Sequence, residues 1–197
     1  MLGVLAFFAV ANNFIKDGLT SWTPDILSAV YNTPGWLSIL LTLLLPVMAI
    51  FGTVVAMRVY KTVKNFVGTC VVLYVGSALF IGLVIAFLST SAMPVTVACF
   101  ALVACLMAGV NNVITSLVPL KLKTKMGAGK LAGILNGFCY LGSTISAYGL
   151  GAIADNFGWN AVFYTLLGVC LFVLMLGGAY LTFQTTKNKT INKSVNN

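Results

Sequence analysis

The chemistry this chain can do is concentrated in one stretch, Asn12-Asn13-Phe14-Ile15-Lys16-Asp17-Gly18-Leu19-Thr20-Ser21-Trp22-Thr23-Pro24. An ammonium, a carboxylate and two amides stand here inside a hydrophobic run. A Lys at the centre of a lipid-spanning helix costs roughly 2.5–3.5 kcal/mol on insertion scales, so it normally faces protein or a water-filled cavity. Lys16 is therefore the leading candidate for a solute contact. Two other readings stay open: the side chain snorkels to an interface, or it pairs locally with Asp17 or a helix dipole. Neighbours in sequence point about 100° apart on a helix, which counts against the pair. Asp17 is a candidate for a coupling or gating role as the one carboxylate expected near mid-membrane. Trp22 could stack on a solute or sit in an interfacial aromatic belt.

What surrounds that stretch excludes most other chemistry. The 197 residues are 60% hydrophobic and 7% charged, too little charge to cover a soluble domain. There is no His and no Glu, and the acids are Asp17, Asp25 and Asp155. Paired carboxylates, a histidine base and a His-based metal site are all unavailable, so neither an enzyme nor a metal or other cofactor is expected. Cys70, Cys99, Cys105, Cys139 and Cys170 are scattered through apolar runs without a CxxC, which reads as small apolar packing.

Six apolar segments reach the roughly 20 residues needed to cross a bilayer: 2–28, 35–57, 66–88, 95–120, 131–154 and 160–183. The expectation is an all-α membrane protein of six transmembrane helices, followed by a polar, flexible tail over 184–197. Turn chemistry marks breaks at Asn32-Thr33-Pro34-Gly35, Ser91-Ala92-Met93-Pro94 and Asp155-Asn156-Phe157-Gly158. Arg58, Lys61 and Lys64 follow the second segment, Lys121, Lys123, Lys125 and Lys130 the fourth, and Lys187, Lys189 and Lys193 the sixth. All basic residues but Lys16 thus fall on one side, which the positive-inside rule makes cytoplasmic, together with both termini. The net charge of +8 is accounted for by lipid headgroups; no motif or interleaved aromatics point to nucleic acid.

Polar residues divide the segments unequally. The first carries Asn12, Asn13, Lys16 and Asp17; the fourth carries Asn111, Asn112, Thr115 and Ser116. In the fifth, Asn136, Tyr140, Ser143 and Ala147 recur at steps of four, three and four, one face of a helix. Segments one, four and five are expected to line a cavity, and three and six to face lipid. The second, with Thr42 and the kink-forming Pro46, is left open. Asn12, Asn111, Asn112, Asn136 and Tyr140 join Lys16 as candidate solute contacts, with interhelical hydrogen bonding the alternative for the amides. Gly133, Gly137, Gly142 and Gly151 read as helix-contact surfaces.

Two stretches resemble a known family. Asn13-Phe-Ile-Lys16-Asp-Gly18-Leu-Thr-Ser-Trp22-Thr-Pro24 is similar to the seventh helix of major facilitator superfamily transporters. The likeness is to the organophosphate:phosphate antiporter branch, with its glycerol-3-phosphate and hexose-phosphate transporters. Gly133-Ile-Leu-Asn-Gly-Phe-Cys-Tyr140-Leu141-Gly142-Ser143 and Gly151-Ala-Ile-Ala-Asp155-Asn-Phe157-Gly158-Trp159 look like that family's eleventh helix and the turn after it. The resemblance implies the C-terminal six-helix half of a twelve-helix secondary transporter of a small organic anion, in the plasma (inner) membrane. It makes Lys16 the phosphate-binding basic residue. The family generally has Arg there; Lys keeps the charge without the bidentate fork, so a carboxylate, sulfonate or sugar acid suits it equally. The family's loop motif after the eighth helix keeps Gly52 and a basic Arg58, a gating candidate, but has Ala56 in place of Asp. Apolar sequence begins almost at Met1 without a basic flank, so a fragment or one part of a split transporter is expected, paired with a separate N-terminal six-helix half. The rival readings are a non-transporting truncated product or assembly partner, and a facilitator of drugs or neutral solutes.

Overall fold

The computed structural model describes residues 2–88, 92–122 and 127–195, with residues 188–195 described by backbone alone. Every regular element in it is helical. Helix α1, Leu2–Tyr31, ends where Asn32 adopts a positive φ of 53° ahead of Pro34, which cannot continue a helix. Helices α2, Gly35–Thr42, and α3, Leu44–Val63, form one span with a local break at Leu43. Its cause is Pro46, which has no N–H for the Thr42 carbonyl four residues earlier. Lys64 closes α3 in the left-handed region with φ 55°. Asn65 then caps α4, Phe66–Phe87, its side chain accepting from the Gly68 N–H at 3.0 Å.

Helix α5, Met93–Asn112, passes through a π-helical turn, Val113–Leu117, into the short α6, Val118–Lys121. The last element, α7, covers Ala128–Val195 and is kinked at Gly158, whose φ of 77° and ψ of 170° only glycine adopts readily. Among the described residues, five helical runs are therefore long and apolar enough to cross a membrane: Leu2–Tyr31, Gly35–Val63, Phe66–Phe87, Met93–Lys121 and Ala128–Lys187. The break expected between the fifth and sixth segments is present at Gly158, the glycine of the expected turn, where two helical stretches meet across a non-helical residue. Helix continues through Val195, so the polar tail begins as helix where a flexible segment was expected. Ser91, Lys123 and Lys125 of the expected turn and basic flank lie outside the described residues.

Helix α1 packs chiefly against α7 and α5. Leu5, Phe8, Ile15, Leu19, Ile26 and Leu27 are buried along it. Phe8 meets Tyr74 of α4 edge-on at 5.6 Å, and the Tyr74 hydroxyl donates to the Phe8 carbonyl at 3.0 Å. Helices α3 and α5 cross where Gly52 faces Gly109: an added Cβ on Gly109 would sit 2.8 Å from the Gly52 carbonyl oxygen. In lipid, where apolar surface gains little by leaving its solvent, such close backbone approach is what holds helices together.

The glycines expected to be contact surfaces divide. Gly142 and Gly151 are buried against α1, Gly151 beneath the Trp22 indole, whereas Gly133 and Gly137 are exposed with nothing within 4 Å of an added Cβ. Gly133→Ala should accordingly leave the chain's thermal stability in detergent unchanged or slightly raised, by up to about 1 kcal/mol from helix propensity alone. A clear drop in unfolding temperature would place a packed neighbour there.

Candidate functional site

The middle of α1 presents Lys16, Asp17 and Thr20 to a cavity of about 250 Å³. Its far walls are Leu45, Pro46 and Ala49 of α3, and Ala104, Ala108 and Asn111 of α5. The alanines on α5 are four residues apart and so share a helical face, leaving room that larger side chains would fill. The volume falls just under the ~300–1,000 Å³ usual for ligand pockets and suits one small solute. The expected cavity is present with a different lining. The second span, left open by the sequence, supplies one wall, while the fifth segment backs the site through Ser143 and Cys139 instead of lining it.

Lys16 is paired. Its Nζ lies 3.1 Å from Asp17 Oδ1, with the two side chains 23% and 34% exposed. The 100° between successive side chains is bridged by the reach of the four-carbon lysine stem. The second carboxylate oxygen, Oδ2, accepts from Ser143 Oγ of α7 at 2.5 Å and from Asn13 Nδ2 at 3.0 Å. Asn13 also donates to Ser143 Oγ at 3.2 Å. Asp17 therefore ties α1 to α7 while neutralising Lys16, and its acceptor positions are largely used. Lys16 has three N–H donors and, among the described residues, one partner for them. Toward the cavity the site is a net donor.

The remaining candidates separate around this pair. Asn111 lines the cavity, half-buried, and its Oδ1 accepts a weak hydrogen bond from Cys139 Sγ at 3.5 Å. Asn112 is half-buried beside it, at the entry to the π-helical turn, a distortion often found at functional sites. Asn12 faces away: it is fully buried, donates to Asn13 Oδ1 at 3.0 Å, and its own Oδ1 has no donor among the described residues. Asn136 and Tyr140 do share a helical face, but it is an outer one, with Tyr140 64% exposed and neither residue in the cavity wall. Trp22 packs on Gly151 and against Trp159, ring centroids 6.1 Å apart, and so joins α1 to α7 on either side of the kink. Arg58 is exposed on α3 and outside the cavity lining. Two network members were passed over by sequence reasoning as site residues, Asn13 and Ser143. The step of four from Asn13 to Asp17 was the available signal.

No family model matches the chain. A 56-residue stretch is 36% identical to a protein described as a probable hexose phosphate transport protein, from Chlamydia trachomatis serovar D. That stretch is 28% of this chain and 12% of the length of that protein.

Proposed function

We propose that the chain carries a small organic anion across a membrane by alternating access, as one six-helix half of a major facilitator superfamily transporter. The observation that carries this reading is Lys16: an ammonium in the middle of α1, with spare donors at a small cavity between three helical runs. The partial likeness to a hexose phosphate transport protein supports the solute class. Lys16 attracts the anion, Asn111 and Thr20 hydrogen-bond it, and binding biases one bundle arrangement over another without covalent chemistry. Splitting α7 at Gly158 gives six spans, with both termini on the cytoplasmic side of the plasma (inner) membrane. The outer face carrying Asn136, Tyr140 and Tyr148 is where a second six-helix half would sit, closing a shared passage over Lys16.

A cysteine at position 16 tests the passage. The native cysteines are all buried, so background labelling is low. In the full chain reconstituted in liposomes, Lys16→Cys should react with a membrane-impermeant thiol reagent, and an anionic solute should slow the reaction. Absence of labelling from either side would remove the aqueous passage and the carrier reading with it.

A further inference from the structure

Resting on that reading, we infer that Asp17 restricts the site to singly charged organic anions, such as a carboxylate, and disfavours doubly charged phosphate esters. The cavity lining contains one cationic and one anionic side chain, 3.1 Å apart, so its own charges cancel. An incoming anion that binds another N–H of the Lys16 ammonium lies about 3 Å from Nζ but about 5 Å from the Asp17 carboxylate. Each negative charge on the solute is therefore attracted, but Asp17 offsets a large part of that attraction, leaving a net gain that holds one charge and does little for a second. The second charge still loses its hydration on entering a pocket walled by Leu45, Pro46, Ala49, Ala104 and Ala108.

Asp17 cannot simply swing away from this role. Ser143 Oγ and Asn13 Nδ2 both donate to its Oδ2, fixing the carboxylate beside Lys16 from α7 and from α1 itself. Among the described residues, the other elements around it offer no second cation: α3 contributes apolar wall residues, and α5 contributes two alanines and the neutral Asn111. The ammonium's geometry agrees, since Lys16 presents a point charge that suits a carboxylate as well as a phosphate.

The experiment is competitive binding to the full chain in lipid nanodiscs. The probes are a hexuronate, carrying one charge, and a hexose 6-phosphate at a pH of about 7.5, where the ester is largely a dianion. The unaltered chain should favour the hexuronate by about tenfold or more. Asp17→Asn retains acceptor geometry toward Ser143 and Asn13 while removing the charge. It should shift the ratio by at least about tenfold toward the hexose phosphate. Asp17→Glu should keep the original preference; a purely structural role for Asp17 would change both affinities together and leave the ratio alone. Tighter binding of the hexose phosphate by the unaltered chain, or an unchanged ratio in Asp17→Asn, overturns the inference and leaves the carrier reading standing. Binding of neither anion to the unaltered chain overturns both.

Discussion

Lys16→Ala should reduce anion binding and uptake by at least about thirtyfold, the worth of a hydrogen bond to a charged group at roughly 2 kcal/mol or more. Lys16→Arg should retain a measurable part, because the charge survives although the guanidinium's planar fork replaces a compact ammonium. The alanine variant has a second consequence. Asp17 loses its ion-pair partner while Ser143 and Asn13 still hold it between α1 and α7. Breaking a fully buried pair on one side costs about 3–5 kcal/mol, and the partial exposure of this pair lowers that figure. Stability and binding can therefore be separated by the double variant Lys16→Ala with Asp17→Asn. It removes both charges, should recover much of the thermal stability in detergent, and should still fail to bind the anion. Recovery of anion binding in the double variant would move the recognition element away from Lys16.

That pair also shows what a one-dimensional reading can and cannot carry. Residue order reveals an ammonium in apolar sequence, and the cost of exposing it to lipid already demands a polar environment. It offers Asp17 as one partner among other readings and wrongly counts the 100° offset against it, because that rule describes Cα–Cβ directions and a lysine stem is long enough to turn back. Gly158 was legible for a related reason: its turn context predicts a backbone that other residues resist, and the kink is there. The face formed by Asn136, Tyr140, Ser143 and Ala147 was equally legible as a face, although Ser143 at its edge turns inward to Asp17. Periodicity reports that residues share one side of a helix but not what lies opposite, and in this chain Asn136, Tyr140 and Ala147 face outward. Asn12 and Asn13 make the same point at single-residue scale. A turn of one position puts Asn12 fully into the core and Asn13 into the Asp17 network. The choice depends on the rotation of α1 against α7, which is a tertiary quantity.

That rotation is set at Gly142, and Gly142→Ala is the packing substitution with the largest expected cost. A Cβ on Gly142 would run into the Val10 carbonyl oxygen and lie 2.9 Å from the Val10 carbonyl carbon and 3.0 Å from the Phe14 nitrogen. These are backbone atoms of α1, so no rotamer change relieves the contact; the helices must separate or rotate. Overpacking of this kind costs about 1–3 kcal/mol, and a valine more. The displacement falls one residue from Ser143, whose hydrogen bonds to Asp17 and from Asn13 span the same interface. Gly142→Ala should therefore lower the unfolding temperature in detergent and weaken anion binding together, while Gly133→Ala, nine positions earlier on the same helix, does neither. If both alanines proved equally harmless, α1 and α7 would not approach closely at Gly142. The alignment of Lys16, Asp17 and Ser143 would then need another cause.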